Sequence, residues 1–251
     1  MKNQFPQSAS RKLHEKVKTA KRRKKSSTRW LERQLNDPYV IAAKKEGYKS
    51  RAAYKLIELN EKFEFLRPGL KVLELGSAPG AWTQVNVSKL GNNNVWCIDK
   101  EDMELINGTN FMKMDVLDQN AHTKLNNFLQ CKVDIVESDM AASSTGHSKT
   151  DHLRTMALCQ ASYEIACNFL IKGGVFISKV IQGGTENELL NQLKVSFDFV
   201  KHAKPKSSRK DSSELYVIAS NFKAHSPSDF GRYQRGNILD RFKTPVNNGR
   251  R

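Results

Sequence analysis

One stretch constrains the fold of this chain more than any other: Val72-Leu73-Glu74-Leu75-Gly76-Ser77-Ala78-Pro79-Gly80-Ala81-Trp82. An apolar strand runs into a Gly-Pro-Gly turn and then a helix, the unit from which alternating α/β sheets are assembled. Its glycines leave room for a ligand to approach the backbone, while Pro79 stiffens the turn and removes one donor. Free N–H groups at the start of the following helix favour an anion such as a carboxylate. Asp99 stands nineteen residues past Gly80. It closes a second short apolar strand, Val95-Trp96-Cys97-Ile98-Asp99, where a carboxylate can accept hydrogen bonds from ribose hydroxyls.

The glycine spacing by itself also fits a plain strand-to-helix connection. Two features argue for a ligand: the strand carries Glu74 near its end, and the turn lacks the third spaced glycine and the Gly-Lys-Ser/Thr of phosphate-cradling loops. A ligand without a pyrophosphate fits better. S-adenosylmethionine is such a ligand, with a carboxylate for the glycine turn around Gly76 and Gly80 and ribose hydroxyls for Asp99. Its adenine edge would reach Asp115, after a third strand that includes Phe111-Met112-Lys113-Met114.

The 251 residues suffice for one substantial core. Charge is placed unevenly along them. Residues 1–55 hold 17 Lys/Arg against 4 Asp/Glu, residues 222–251 hold 7 against 2, and residues 56–221 hold 18 against 20. The net charge of +16 therefore belongs to two basic arms around an ordinary domain, and such arms suit a polyanion. Residues 1–29 read as a disordered basic RNA-binding arm, 30–221 as the catalytic domain and 222–251 as a basic tail. The run Lys21-Arg22-Arg23-Lys24-Lys25 is also compatible with a solvated tail, and less well with a mitochondrial presequence, because five consecutive cations make a poor amphipathic face. No apolar run approaches the roughly 20 residues of a membrane span, so a soluble cytoplasmic monomer is expected.

The four cysteines, Cys97, Cys131, Cys159 and Cys167, lack paired metal spacing and read as small hydrophobes in a reducing compartment. His147, Asp151 and His152 read as a solvent-exposed loop, since a metal there would need another ligand. No metal site is expected.

After a short helix from Trp30 interrupted at Asp37-Pro38, Ser50 is expected to cap an amphipathic helix with Ala53, Leu56, Ile57 and Leu59 on one side. Strands are expected at 71–75, 94–98, 111–114, 133–138, 175–181, 197–202 and 214–221. Helices fall near 80–90, 119–130, 151–171 and 185–195. Seven strands with helical crossovers predict a Rossmann-like, mostly parallel, doubly wound sheet with helices on both faces. Ligands of such sheets sit beyond the strands' carboxyl ends at the switch point, here past Gly76. Lys179 lies inside the apolar run Val175 to Ile181, where an unpaired ammonium is costly to bury.

Five segments now fall into register with a known family: Ser50-Arg51-Ala52-Ala53-Tyr54-Lys55-Leu56, Glu74 to Trp82, Ser138-Asp139-Met140-Ala141, Gly174 to Lys179, and Ser212-Ser213-Glu214-Leu215-Tyr216. The chain resembles the FtsJ/RrmJ-type ribose 2′-O-methyltransferases over residues 30–221. Ala142 departs from the proline that often follows Asp-Met-Ala. The resemblance implies a catalytic tetrad of Lys55, Asp139, Lys179 and Glu214, and S-adenosylmethionine contacts at Gly76, Gly80, Trp82, Asp99, Asp115 and Asp139. It further implies RNA as the partner, with a uridine in the aminoacyl-tRNA-binding loop of 23S ribosomal RNA as the target. A tRNA or mRNA-cap 2′-O-methyltransferase would share every core residue. A non-catalytic RNA chaperone or assembly factor would have no use for a lysine in an apolar strand. Lys179 itself could act as general base or as a positioning cation.

Overall fold

The computed structural model describes residues 15–143, 145–182 and 186–224; most of the C-terminal tail expected from the sequence lies outside them. Helices α1 (Lys25–Asn36), α2 (Pro38–Glu46) and α3 (Ala53–Phe63) lead into β1 (Val72–Leu75) and α4 (Ala81–Leu90). Next come β2 (Val95–Asp99), β3 (Thr109–Lys113), α5 (Ala121–Leu129), β4 (Val133–Ser138) and α6 (Ser148–Phe169). The chain continues through β5 (Leu170–Ile181), α7 (Glu186–Ser196), β6 (Phe197–Ala203) and β7 (Glu214–Phe222).

The seven strands form one sheet in the order β3-β2-β1-β4-β5-β7-β6. Strands β1 to β5 pair in parallel, whereas β7 runs antiparallel to both its neighbours. The expected fold class holds, and the order reverses between β1 and β4, which puts the switch point beyond Gly76. Alternation along the strands feeds two cores, one on each face. Leu73 and Leu75 pack with Leu125, Ile165 and Phe176, while Val72 packs on the opposite face with Leu56, Leu59 and Val85.

Several boundaries differ from the sequence reading. Strand β5 begins at Leu170 rather than 175, because the Gly173-Gly174 pair lets the strand bend instead of ending it. Gly173 has φ +85°, and a side chain at Gly174 would reach to 2.9 Å from the Asp134 carbonyl. Ser50 does not cap α3 directly. Its hydroxyl accepts from the Ala52 N–H at 3.2 Å, and i to i+3 bonds from Ala53, Tyr54 and Lys55 wind a tighter turn that feeds the helix. Helix α1 starts at Lys25, inside the stretch read as a disordered arm. The Asn36 amide clamps both backbone groups of Glu15, at 2.8 and 2.9 Å, and Val17 is buried. Helix α6 starts at Ser148, so Asp151 and His152 are helical rather than in a loop. Asp151 accepts from the Thr145 N–H and hydroxyl at 2.8 and 2.7 Å, which ties the preceding turn to the helix. No helix among the described residues is long and apolar enough to cross a membrane.

Candidate active site

Four titratable side chains meet beyond the carboxyl ends of β4 and β5. Asp139 follows β4, Lys179 lies near the end of β5, Glu214 opens β7 and Lys55 sits in the first turn of α3. Antiparallel pairing of β5 with β7 sets Lys179 opposite Tyr216 and Ile181 opposite Glu214, so the two strands deliver their polar ends to one place. Lys179 Nζ lies 2.8 Å from Asp139 Oδ1 and 3.8 Å from Glu214 Oε2, and it also donates to the Asp139 carbonyl at 2.6 Å. Lys55 Nζ lies 2.7 Å from Glu214 Oε1 and 3.9 Å from Asp139 Oδ1. Two ammonium groups and two carboxylates thus alternate in a closed cluster. The Lys-Asp-Lys-Glu set implied by the resemblance is assembled in full.

Burial would neutralise such groups were they alone. Desolvation pulls the Lys179 pKa down, but the Asp139 and Glu214 carboxylates outweigh it and hold the ammonium above its ordinary value. Burial likewise pushes Asp139 up, yet Lys179 and Lys55 win and keep its carboxyl below the usual range. Both groups are therefore charged at neutral pH.

Two further residues complete the cluster. The Tyr216 hydroxyl donates to Asp139 Oδ1, and Ser208 Oγ donates to Glu214 Oε1 at 3.0 Å. Tyr216 was within reach of the sequence, since strand alternation puts it on the same face as Glu214. Ser208 was not, because nothing local says that the loop after β6 folds back over β7.

Beside the cluster a cavity of about 640 Å³ runs along the switch point. Gly76, Asp99, Asp115 and Asp139 line it, as expected, and Ile98, Met114 and Leu117 supply apolar wall. Asp99 uses its two oxygens on the Ala78 and Glu101 N–H groups, each at 2.9 Å, which fixes the carboxylate at the rim. Asp115 is fixed the same way by the Leu117 N–H at 2.9 Å. Gly76 has φ +81°, and a side chain there would run into Met140, so only glycine lets the Asp139-Met140 loop close over the turn. Charged lining residues are Asp99, Glu101, Asp115 and Asp139 against Lys100 and Arg154. An acidic wall of that kind suits a cationic ligand with hydroxyls and an apolar ring, which S-adenosylmethionine is.

Two further residues read as cofactor contacts, Gly80 and Trp82, are not among those lining this cavity. Gly80, at φ +104°, faces Ile106 and Met103 rather than the cavity; a side chain there would come within 2.8 Å of Ile106 Cδ1. Trp82 is buried against Tyr216, with ring centroids 5.7 Å apart, and its indole N–H donates to the Ala52 carbonyl at 2.9 Å. The first turn of α4 rotates Trp82 toward α3, so it props the helix that carries Lys55. The sequence reading also missed the opposite wall, built by Thr150, Leu153 and Arg154 of α6.

A Rossmann-like sheet with an acidic ligand cavity at its switch point and a Lys-Asp-Lys-Glu cluster beside it defines a nucleoside-cofactor enzyme acting on a poor nucleophile. The FtsJ-like methyltransferase family model matches residues 48–222, and the chain belongs to that family. Its methyl donor is S-adenosylmethionine. Two similar proteins bear the name ribosomal RNA large subunit methyltransferase E. One, from Parvibaculum lavamentivorans, is 47% identical over 230 residues, covering 87% of this chain and 91% of that protein. The other, from Paramagnetospirillum magneticum, is 49% identical over 227 residues, covering 88% and 93%. Among solved structures, a ribosomal RNA methyltransferase from Plasmodium falciparum superposes with a TM-score of 0.63 at 33% identity, over 71% of this chain and all of that one.

Proposed function

We propose that this chain methylates a ribose 2′-hydroxyl of large-subunit ribosomal RNA, with a uridine of the aminoacyl-tRNA-binding loop as the target, as a cytoplasmic monomer. The observation that carries the reading is the closed cluster of Lys55, Asp139, Lys179 and Glu214 abutting the cofactor cavity; the names of the similar proteins support the ribosomal substrate. S-adenosylmethionine supplies, when bound, a methyl group made electrophilic by its sulfonium. A ribose hydroxyl attacks poorly at neutral pH unless it is aligned and its developing charge is stabilised. The Lys179 ammonium, held charged by its two carboxylates, donates to the attacking oxygen and stabilises alkoxide character there. It lacks the free electron pair of a base. Asp139 Oδ1 keeps that ammonium aimed and is the ionised acceptor nearest to it for the hydroxyl proton. Lys55 and Glu214 hold the other side of the cluster, so that neither carboxylate is left uncompensated in a dry site.

The test is to incubate the protein and labelled S-adenosylmethionine with large ribosomal subunits, free ribosomal RNA and tRNA, then map each 2′-O-methyl group. Label at a single large-subunit uridine is expected. Transfer to tRNA alone would move the substrate to that class, and no transfer to any RNA would sink the reading.

A further inference from the structure

A second hollow, of about 580 Å³ and sharing no lining residue with the cofactor cavity, lies between α1 and the loop that joins β6 to β7. Its floor is wired to the tetrad, since Ser208 lines it and donates to Glu214 Oε1 at 3.0 Å. Six cations line it, Arg29, Arg33, Arg51, Lys206, Arg209 and Lys210, against three acids, Glu32, Asp37 and Asp211. Arg51 is used structurally, paired with Asp37 and donating to the Ser207 carbonyl. Arg33 stands 3.5 Å from Asp211. Among the described residues Arg29, Lys206, Arg209 and Lys210 form no ion pair.

The loop that carries three of these cations is held firmly. Ser207 N and Oγ both donate to Glu58 Oε2, at 2.9 and 3.0 Å, and Lys204 Nζ donates to the Ser212 carbonyl at 2.6 Å. Ser207 and Ser208 are buried, while Lys206 just before them and Lys210 two residues after them are exposed. Exposed cations on a loop whose backbone is braced are preorganised in part for an anion, because little backbone freedom remains to be lost on binding. On α1 the exposed Trp30, at 57%, adjoins Arg29, an indole face of the kind on which unpaired bases stack.

We propose that this hollow is a phosphate track, holding the single-stranded RNA backbone next to the nucleotide presented to the tetrad, with Arg29 on one wall and Lys206, Arg209 and Lys210 on the other. The proposal rests on the reading of the tetrad as an RNA methylation site. It assigns the substrate's path to described residues of the folded domain rather than to the basic run that precedes α1.

The test compares the full-length protein with the full-length triple variant Lys206→Gln/Arg209→Gln/Lys210→Gln. Affinity for a short fluorescein-labelled oligouridylate is measured by anisotropy across a salt series, and S-adenosylmethionine affinity by calorimetry. For single strands each lost phosphate contact lowers the log-log salt slope by about 0.7, so a drop of about 2 is expected, with binding weakened roughly ten-fold or more at low salt. Cofactor affinity stays at the wild-type value, and KM for the unmethylated RNA substrate rises more than kcat falls. Superimposable salt titrations of the two proteins overturn the proposal. If the triple variant melts early, the single exposed change Lys210→Gln decides instead: a slope lowered by about 0.7 supports the track, an unchanged slope removes it. Failure of the wild type to methylate any RNA would discredit the functional reading, whereas the oligouridylate slopes would still judge the track.

Discussion

Glu137 and Asp139 are two residues apart, Glu137 buried in β4 and Asp139 just past its end with its side chain 17% exposed, yet the structure treats them oppositely. Asp139 is held ionised by Lys179 and Lys55. Glu137 is pushed well above the usual carboxylate range, first by burial and then by Glu74, which stands beside it in register on β1. On the other side of Glu137 the partner in register is Ile177, where two residues further along β5 stands Lys179. What differs is the neighbour each adjacent strand supplies. In the site a carboxylate meets ammonium groups; one step deeper it meets another carboxylate and an isoleucine.

The deeper pair is held by neutral groups alone. Asn86 Nδ2 donates to Glu74 Oε2 at 3.2 Å and to Glu137 Oε1, and the Thr83 hydroxyl donates to Glu74 Oε2 at 2.8 Å. Glu137 Oε2 and Asn86 Oδ1 are buried acceptors without a donor. A proton on Glu137 would provide one, which agrees with the upward push on its pKa. The two regions thus divide the work: the ionised cluster faces the ligands, and the protonated pair lets acidic side chains fill the interior beneath it without cations.

The comparison breaks most sharply at Lys179. Lys179→Ala is expected to lower single-turnover methyl transfer by about 10²- to 10⁴-fold while S-adenosylmethionine affinity in calorimetry stays near wild type, because the ammonium acts on the attacking oxygen. It also strips Asp139 of its nearer cation and moves it toward the state of Glu137. In the wild type the Lys179 pKa is raised, so its ammonium persists through the neutral range and the rate should show no loss of a Lys179 proton below about pH 10. A rate limb near pH 7 to 8 that Lys179→Arg abolishes would instead make it a base.

A smaller effect is expected at Tyr216. Its hydroxyl helps keep Asp139 charged, and a hydrogen bond to a charged group is worth roughly 1.5–3 kcal/mol. Tyr216→Phe should therefore slow transfer by about ten-fold and lower the melting temperature by roughly 3–10 °C. Turnover equal to wild type would remove Tyr216 from the cluster's support.

How much of this contrast could be read in the chain follows from what each residue depends on. Lys55, Asp139, Lys179 and Glu214 sit at element ends whose order along the chain is that of a family, so they could be named before any coordinates. The packing of the Trp82 side chain on α3 was not legible, because its place after the glycine turn says which helix it starts but not which way that helix turns its first residues. Glu137 was not singled out at all. Its character comes from pairing with Glu74 across β1 and β4, two strands separated by α4, β2, β3 and α5 in sequence. Register between distant parallel strands leaves no local trace, whereas alternation within β7 was enough to put Tyr216 on the face of Glu214, although the sequence reading did not single it out.

Glu137→Gln separates the two regions with the least disturbance. The side chain keeps its shape, and the amide offers the missing donor while removing a carboxyl that burial and Glu74 hold protonated. Groups facing this spot are few: Glu74 from β1, Cys97 from β2 with its thiol pushed up by burial and by Glu74, Thr83 and Asn86 from α4, and apolar Ile177 from β5; Asp139 is the nearest carboxylate beyond them. Glu74 is pushed up to about 8, mainly by burial. Its folded pKa lies above the unfolded value of about 4.3. The folded protein therefore binds more protons, and stability falls as pH rises from about 5 toward 9. In the variant residue 137 no longer takes up a proton on folding, so its share of the fall is removed and the curve should be shallower. We expect Glu137→Gln to be about 1–3 kcal/mol more stable than wild type at pH 9 and indistinguishable at pH 5. Denaturant melts at the two pH values measure it, and methyl transfer at pH 7 should stay within about two-fold. Parallel stability curves for the two proteins would mean that Glu137 is already compensated in the folded state, and the contrast with Asp139 would collapse.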